Sequence, residues 1–365
     1  MKKNNLVSVV IPTYKEAKNI PVLCEKINSV MKHAGMTYDI IIVDDNSNDG
    51  TVEAVNPIKK KFNINLIVRL NEKGLSSAVI EGLRHAESDI VVVMDADLSH
   101  PPKKIPVLVN DILNNNAEFT IGSRFVKGGS APHFNAYRKL NAFMSKMLAR
   151  PFTKATDPMA GFFAFPRKIL KDFNSLNPLG FKIGLELIVK TNPKKITEIP
   201  IQFQERLYGE SKLSIREQIN YILHIKRLFE YKYKMLSELI KFGLIGGSGM
   251  IVDLFFVFLS CDLLSLQFRI ARIIGFVFAL TSNFFLNRRF TFSYGRDGNT
   301  RRQYLFFFIV SLAGFSVNWL ISVYLHENTG FFYYHYLFAA LIGILAGMVI
   351  NFTGTKFIVF RQKSK

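Results

Sequence analysis

Two aspartates, one residue apart, follow an apolar run in the segment VVVMDADLSH, residues 91–100. Asp95 and Asp97 come where a buried strand is predicted to end, and two carboxylates this close repel each other unless a cation lies between them. Carboxylate oxygens suit Mg²⁺ or Mn²⁺, ions that keep several coordination positions for phosphate oxygens. The pair therefore predicts a metal site for a phosphorylated ligand, although a lone Asp-x-Asp is a weak motif that also occurs in loops and caps.

Polar residues follow two further predicted strands in the same way. LVSVVIPTY, residues 6–14, is stopped by Pro12, and YDIIIVDDNSNDGT, residues 38–51, reaches Asp44 and Asp45 before its turn. INLIVRL, residues 64–70, is a third strand, and DIVVVMDAD is the fourth. These runs are apolar on both faces and alternate with amphipathic helices, which predicts a parallel α/β sheet. Ligands bind such sheets beyond the carboxyl ends of the strands.

The helices between these strands carry ordinary start and stop signals. The segment that begins EAKNIPV predicts a helix ending near Gly35, and KGLSSAVIEGLRHAES predicts a turn followed by a Ser-capped helix. Neither a Gly-x-Gly-x-x-Gly turn nor a Walker A lysine loop is present, so a dinucleotide-binding Rossmann domain is excluded. Asp45 either caps a helix or contacts the ligand, and Asp44 either contacts the ligand or holds its loop.

The first 230 or so residues resemble the family-two GT-A glycosyltransferases, and in particular their dolichol-phosphate mannose synthase branch. The family resemblance is carried by VSVVIPTYKEAKNI, IIIVDDNSNDGT, NEKGLSSAVIEGLRHAESDIVVVMDADLSHPP and FTIGSRFVKGG. DADLSHPP, TDPMAGFFAFPR and GFKIGLELIVK carry the resemblance to the branch. It implies an α/β GT-A domain with a Rossmann-like, mostly parallel sheet, followed here by an all-α transmembrane domain.

The resemblance also implies roles for individual residues at this site. The residues that it implies for binding the nucleotide-sugar are Pro12, Tyr14, Glu16, Val43, Asp45, Asp95, Ala96, Asp97, Arg124, Arg206 and Lys212. Asp95 and Asp97 would hold the metal, with Asp97 its direct ligand. Asp97, Arg124, Arg206 and Lys212 would stabilise the leaving diphosphate. Glu186 and Asp157 lie inside branch-like motifs, where each is either an ion-pair residue or a catalytic one.

The reaction implied by the resemblance moves mannose from GDP-mannose to dolichyl (polyprenyl) phosphate with inversion and a divalent metal, giving dolichyl phosphate mannose and GDP. A phosphate oxygen is already anionic at neutral pH, so the acceptor needs cations rather than a general base. His133, Arg138 and Lys139 lie in a segment that supplies them. Two alternatives stay open: an undecaprenyl-phosphate glucosyltransferase using UDP-glucose, and a glycolipid flippase whose soluble domain senses a nucleotide-sugar.

Two basic, amphipathic helices are predicted around the end of this domain. Residues 134–152 space Tyr137, Leu140, Met144, Met147 and Leu148 at helical intervals, and residues 214–234 do the same with Ile215, Ile219, Ile222 and Phe229. Such helices either cover the core or lie at a membrane surface and deliver a lipid. We expect a catalytic domain over residues 1–211, interfacial helices over 212–236 and a membrane domain over 237–365.

Four later stretches are long and apolar enough to cross a bilayer, at about 238–260, 269–287, 304–325 and 335–357. Arginines crowd the connection at residues 287–302, and Lys356 and Arg361 lie at and just after the end of the last stretch. By the positive-inside rule both termini and the catalytic domain are cytoplasmic. The net charge of +19 is then explained by a membrane surface and a phosphorylated substrate, and we expect no nucleic-acid partner.

The membrane part contains a weak internal repeat. Gly275 and Asn283 recur at one common spacing as Gly343 and Asn351. Gly249 and Asp253 recur at a slightly shorter spacing as Gly314 and Asn318. This pattern predicts two tandem helix hairpins in parallel orientation, and the part resembles the GtrA-like four-helix membrane domains. A buried Asp253 needs a partner, with Asn283 one candidate, or lines a polar path.

Overall fold

A computed structural model describes residues 6–180, 182–204 and 215–361 of the protein. The chain divides into two compact units between Leu228 and Phe229. The predicted boundary near residue 211 lies outside the described residues, and the three-part division stays a prediction.

The first unit is built on one mostly parallel sheet, as predicted. Its strands are β1 (Leu6–Thr13), β2 (Thr37–Asp44), β3 (Ile64–Val68), β4 (Ile90–Val93), β5 (Phe119–Ser123), β6 (Phe163–Pro166) and β7 (Ile196–Pro200). Their order across the sheet is β3-β2-β1-β4-β6-β5-β7. Only β6 runs against its neighbours β4 and β5. The third strand ends at Val68, slightly before the predicted end.

The described part of the first unit also contains α-helices, several of which pack on the two faces of this sheet. They are α1 (Ile20–His33), α2 (Thr51–Val55), α3 (Leu75–His85), α4 (Ile105–Leu113), α5 (Ala136–Ala149), α6 (Ile183–Thr191) and α7 (Ile215–Lys232). In β1, Val9 and Ile11 pack into one core cluster with α1 and α4, while Val10 packs into a second cluster with α3. Alternate side chains of a strand point to opposite faces, so coverage of both faces requires the unbroken apolar runs seen in the sequence.

The start of α3 differs from the prediction. No side chain caps this helix, and its N-cap residue is Gly74 with φ +135°. The Gly74 N–H instead donates to Asp45 Oδ2 at 2.7 Å. An L side chain rarely adopts such a φ, so glycine permits this turn. The predicted serine cap is wrong because a carboxylate from another strand supplies the acceptor.

The second unit contains four helices long and apolar enough to cross a membrane, at Lys234–Leu263, Phe268–Thr291, Thr300–Asn328 and Tyr336–Val359. Their α-helical parts are α8 (Lys234–Phe258), α9 (Phe268–Leu286), α10 (Thr300–Asn328) and α12 (Tyr336–Gly354), with the short α11 (Gly330–Tyr334) between the last two. The four predicted spans are thereby confirmed, with somewhat different ends. The helices pack as two hairpins, α8 with α9 and α10 with α12.

The internal repeat corresponds to repeated contacts between helices. A side chain added at Gly249 would collide with Asn283, and one added at Gly314 would collide with Asn351. These two pairs occupy equivalent positions in the two hairpins. Small residues at such places let helix backbones approach closely, which is how helices associate in a membrane.

The ends of the two hairpins are joined by a second pair of equivalent contacts. Glu238 lies 2.7 Å from Lys356, and Arg288 Nε donates to Gln303 Oε1 at 3.0 Å. In the repeat, Gln303 is the equivalent of Glu238, and Lys356 is the equivalent of Arg288. Each contact joins one hairpin to the other, and each pairs a long cationic side chain with an oxygen acceptor.

Candidate active site

The carboxyl ends of the strands open into one cleft in the first unit, with a volume of about 1290 Å³. β1, β2 and β4 lie side by side, so the residues after each strand reach the same edge of the sheet. The site residues predicted from sequence that line this cleft are Pro12, Tyr14, Glu16, Asp45, Asp95, Ala96, Asp97, Arg124, His133 and Arg138. The parallel sheet thus brings together segments far apart in sequence.

Asp97 is buried and held by the loop that follows it. Its Oδ1 accepts hydrogen bonds from the Ser99 N–H at 3.1 Å and from Ser99 Oγ at 2.6 Å. Leu98 has a φ of +62°, a conformation that non-glycine residues adopt rarely and that clusters at functional sites. The local backbone therefore fixes the direction of the Asp97 carboxylate.

Asp95 is positioned by His100. The Asp95 N–H donates to His100 Nδ1 at 3.1 Å, so a neutral His100 carries its proton on Nε2. The His100 ring is buried and stacks on Phe162 at a centroid distance of 5.3 Å. A Cβ added at Gly161 would lie 3.2 Å from both oxygens of the Asp95 carboxylate. Glycine at this position therefore leaves open space in front of the carboxylate.

Asp95 and Asp97 fit a Mg²⁺ or Mn²⁺ ion. Both residues line the cleft, and the gap at Gly161 gives room beside Asp95. Among the residues that the structure describes, no cluster of three or more His, Cys, Asp or Glu side chains forms a closed metal site. Mg²⁺ is usually held by one or two protein carboxylates, with substrate phosphates and water completing its shell.

Cationic residues that sequence reasoning did not single out lie around Asp45 and Tyr14. Arg69 pairs with Asp45, its Nε donating to Asp45 Oδ1 at 2.8 Å. Lys15 and Lys73 lie 5.5 and 5.8 Å from the ring centre of Tyr14. Asp45 lines the cleft but is already engaged by Arg69 and by the α3 N-terminus. Arg69 lies in the predicted third strand, where nothing in the local pattern marks it.

Val43 and Asp44 do not present their side chains to the cleft. Val43 is fully buried in the core beside α3. That side chain points into the protein, and the predicted contact of Val43 with the nucleotide stays a prediction. Asp44 is also fully buried. It accepts from Thr13 Oγ1 at 3.0 Å and from the Ser47 N–H at 2.9 Å, so it holds the loop, one of the two alternatives that the sequence left open.

Arg124 lines the cleft, and Asp157 fixes its orientation. Its Nε and one terminal nitrogen donate to the two Asp157 oxygens at 2.8 and 2.7 Å. Glu198 in turn accepts from the Asp157 N–H at 3.0 Å. The guanidinium also lies over the rings of Phe134 and Phe203 at 5.4 and 5.3 Å. Planar bidentate pairing fixes the orientation of an arginine, and the ion-pair alternative for Asp157 is the one that the structure shows.

Glu186 forms ion pairs as well. Its Oε1 lies 3.1 Å from Lys190 Nζ, and its Oε2 lies 3.5 Å from His224 Nε2. Burial lowers the pKa of His224, and the nearby Glu186 carboxylate opposes this shift. Glu186 does not line the cleft, so an ion-pair role fits it better than a catalytic one.

The three expected acceptor-phosphate residues are not equivalent. His133 and Arg138 line the cleft, whereas Lys139 is exposed and does not. Lys139 therefore receives no support from the cleft geometry, and its role at the acceptor phosphate stays a prediction. Arg206 and Lys212 lie outside the described residues.

The cleft continues as an apolar arm between α5 and α7. Tyr221 of α7 donates its hydroxyl proton to the Ser145 carbonyl of α5 at 2.7 Å, joining the two helices. Large apolar side chains of both helices line this arm and stay partly open to solvent: Tyr137, Leu140, Met144, Leu148 and Ile222. The predicted amphipathic helices therefore do not simply cover the core.

One further cation lines the cleft and was missed from the sequence. Lys182 directly precedes α6 and is partly buried. Burial lowers its pKa, and the nearby Arg124 lowers it further. It lies in GFKIGLELIVK, a segment whose resemblance was noted without a role for the lysine.

Two family descriptions match consecutive parts of the chain. Residues 8–173 match "Glycosyl transferase family 2", and residues 241–360 match "GtrA/DPMS, transmembrane domain". The first match spans most of β1, the strands β2 to β6 and the strand-end residues described above. The second spans the helix hairpins.

Full-length relatives extend these matches. A dolichol-phosphate mannosyltransferase of Pyrococcus furiosus is 38% identical over 360 residues, covering 98% of each chain. One of Saccharomyces cerevisiae is 40% identical over 236 residues, covering 62% of this chain and 88% of its own. Mannosyl-3-phosphoglycerate synthase of Rubrobacter xylanophilus overlaps 63% of this chain and 75% of its own at 17% identity and a TM-score of 0.49, too slight an overlap to bear on the chemistry.

The Pyrococcus relative matches both units in one continuous alignment, so the resemblance covers the combination of domains as well as each domain. The protein is an enzyme, a glycosyltransferase. The chain belongs to the dolichol-phosphate mannosyltransferase family, as a family-2 glycosyltransferase domain followed by a GtrA/DPMS transmembrane domain.

Proposed function

We propose that the protein transfers mannose from GDP-mannose to dolichyl or another polyprenyl phosphate, with inversion at the sugar carbon and with a divalent metal. The products are the polyprenyl phosphate mannose and GDP. The relatives are named dolichol-phosphate mannosyltransferases, and the wider geometry of the cleft supports the same substrates.

One observation carries the proposal: a single cleft joins a charged end to an apolar end. Asp95, Asp97 and Arg124 line the charged end, and the α5–α7 arm lines the other. A nucleotide-sugar needs carboxylates and cations around its diphosphate. A polyprenyl phosphate needs an apolar surface ending near the same charges. The cleft offers both in one cavity, as a transfer between these two substrates requires.

The reaction is a displacement at the anomeric carbon. An anionic oxygen of the lipid phosphate forms the new bond to that carbon, while the bond from the carbon to the diphosphate oxygen breaks. Its electron pair stays on the departing GDP, so no proton has to move. Arg124 lies where it would stabilise the developing charge, because Asp157 fixes its direction before substrate arrives.

Asp95 and Asp97 would hold the metal, which when bound supplies positive charge to the diphosphate leaving group. The Asp97 carboxylate is fixed by Ser99, and the backbone at Asp95 is held by His100. Holding these groups in place before binding reduces reorganisation at the moment of reaction. Pro12, Tyr14, Glu16 and Asp45 would surround the nucleotide at the other side of the charged end.

We also propose that both termini and the catalytic unit lie on the cytoplasmic side, where nucleotide-sugars are made. Arginines concentrate where the second span ends and the third begins, at Arg288, Arg289, Arg296, Arg301 and Arg302. Positive charge accumulates on the cytoplasmic side of short loops. Reaction of a cysteine introduced at Ser293 with a membrane-impermeant thiol reagent in inside-out vesicles, in a Cys24→Ser, Cys261→Ser background, tests this orientation.

The test of function is transfer of radiolabel from GDP-mannose to a short polyprenyl phosphate by the full chain in detergent. We expect labelled lipid that requires Mg²⁺ or Mn²⁺ and disappears in Asp97→Ala. A parallel reaction with UDP-glucose tests the donor. Product from UDP-glucose alone would contradict the mannose assignment while keeping the reaction type. No lipid product from either donor would contradict the proposal.

A further inference from the structure

Lys182 belongs to the cleft by position but has no role in the reaction described so far. It lines the same cavity as Asp95, Arg124 and Gly161. Two other cations of the site are already oriented by protein partners. Arg124 is paired with Asp157, and Arg69 is paired with Asp45.

The ammonium group of Lys182 lacks such a partner. Among the described residues it takes part in no hydrogen bond and no ion pair. Removing a lysine partly from water without a partner is unfavourable, and the adjacent Arg124 adds repulsion. Three carboxylates, Glu217, Asp157 and Asp95, attract the lysine from beyond ion-pair distance. Asp157 is already paired with Arg124, and Asp95 would hold the metal, so a further anion can bind at this part of the cleft.

The charges around Lys182 locate that anion. The groups that act on the lysine are Arg124, Glu217, Asp157 and Asp95. Glu217 lies in the first turn of α7, one turn before Tyr221 of the apolar arm. Asp95 lies at the predicted metal site.

Lys182 therefore stands where the apolar arm meets the carboxylates. A lipid lying in the arm would bring its phosphate to this junction. That phosphate has to approach a donor that carries two negatively charged phosphates of its own. Two anions held this close repel each other strongly in a partly desolvated site unless a cation screens them.

We propose that Lys182 binds the phosphate of the lipid acceptor and screens it from the donor diphosphate, an inference that rests on the proposed transferase function. The flexible, compact ammonium of lysine suits this place, because it binds phosphate as a point charge with three donors. His133 and Arg138 then lie further along the same cleft, on the α5 side.

The experiment measures binding rather than turnover, on the full chain in detergent. Farnesyl phosphate serves as the isoprenyl phosphate probe, and farnesol serves as the same chain without phosphate. The variants are Lys182→Met, Lys182→Arg and, as a matched control, the exposed Lys171→Met. We expect Lys182→Met to weaken the binding of farnesyl phosphate about 10- to 100-fold, the range for losing one hydrogen bond to a charged group.

Three further results are expected together. Lys182→Arg recovers most of the affinity, Lys171→Met keeps all of it, and farnesol binds every variant alike. Binding of GDP with Mg²⁺ to Lys182→Met stays within about threefold of the wild type, which also shows that the site is folded.

The proposal is overturned if Lys182→Met binds farnesyl phosphate as tightly as the wild type. It is also overturned if GDP binding falls as much as farnesyl phosphate binding, since the lysine would then contact the donor. Failure of the proposed function would be detected separately, in the transfer assay with the wild type. The wild type would then form no mannolipid, whatever the Lys182 variants bind.

Discussion

The catalytic unit and the membrane unit each contain an Asp–Arg pair, and they use it differently. Asp157 and Arg124 form a two-point pair at 2.7 and 2.8 Å that aims the guanidinium into the cleft. Asp253 and Arg272 form a pair at 2.6 Å between α8 and α9 of the first hairpin. The partner of Asp253 is therefore Arg272 rather than Asn283.

The repeat explains what the membrane pair does. Asn318 takes the place of Asp253 in the second hairpin, and Ala340 takes the place of Arg272. The second hairpin packs in the same way without the charges. A Cβ at Gly275 would lie 2.5 Å from Asp253 Oδ1, and one at Gly343 would lie 2.6 Å from Asn318 Oδ1. The contact between helices therefore needs a polar side chain of this size, while the charge is dispensable.

The difference follows from what each unit can bury. The sheet of the catalytic unit is stabilised by apolar residues on both faces, which leaves the polar residues at the strand ends available for chemistry. Burial of apolar surface does little to drive the association of helices in lipid, because the lipid is equally apolar. Polar and small residues in the membrane unit are therefore used for packing.

The same substitution in both units tests this comparison most directly. Asp97→Asn removes a charge from the proposed metal site and is expected to reduce transfer about 10²- to 10³-fold. Asp253→Asn keeps a polar side chain against Gly275 and is expected to keep specific activity within about twofold, as the second hairpin implies. Initial rates with purified full-length variants measure both. Comparable losses in the two variants would refute the division of roles.

Removal of the partner of Arg124 should affect both activity and stability. Asp157→Ala leaves a largely buried guanidinium unpaired, which is expected to lower the free energy of unfolding by about 3 kcal/mol. We expect transfer to fall about 10-fold or more, because Arg124 loses its fixed direction. Thermal unfolding in detergent and initial rates measure the two effects.

Glu25→Ala is the matched control for this variant. Glu25 lies 3.9 Å from Lys61, and both side chains are largely exposed. Such pairs contribute about 0–1 kcal/mol. If Asp157→Ala proves as harmless as Glu25→Ala, Arg124 does not depend on its partner.

Glycine contacts in the membrane unit should matter for packing alone. Gly249→Ala places a methyl group against Asn283 and is expected to destabilise the protein by about 1–3 kcal/mol. Gly246→Ala lies on the same helix with open space around it, so it should be neutral or slightly stabilising. Gly314→Ala should behave like Gly249→Ala. Thermal unfolding measures stability, and a loss of activity per folded molecule in Gly249→Ala would contradict the packing role.

The smallest expected effect is a dependence of stability on pH through His224. Burial lowers the pKa of His224 in the folded protein below its usual value of 6.5, with Glu186 opposing and Arg227, Lys190 and Lys182 assisting. Above pH 6.5 the ring is neutral in both states and has no effect. Below it the unfolded chain takes up a proton that the folded chain does not, so stability falls.

His224→Gln is expected to reduce this acid sensitivity. The comparison of the two proteins between pH 7.5 and pH 5.5, by thermal unfolding in detergent, measures the effect. An unchanged dependence on pH in the variant would show that another group is responsible.

The sequence by itself determined the elements and the edge of the sheet that carries the site. Unbroken apolar runs predicted β1, β2 and β4, and the positions of Pro12, Asp45, Asp95 and Asp97 placed them at one edge. Four apolar stretches predicted four spans, and a weak repeat predicted equivalent hairpins. These features are encoded locally, by composition and periodicity, so no contact between distant residues is needed to recognise them.

Tertiary structure alone decided which of these residues face the cleft and with what partners. Val43 and Asp45 are close neighbours in the chain, yet the Val43 side chain points into the core and the Asp45 side chain lines the cleft. The apolar run of β2 is covered on both faces of the sheet, so the sequence does not show which of its side chains points toward the cleft. Arg69 and Asp157 meet their partners across 24 and 33 residues. Lys182 could be recognised only from the structure, because folding places it in the lining of the cleft with Asp95 and Arg124.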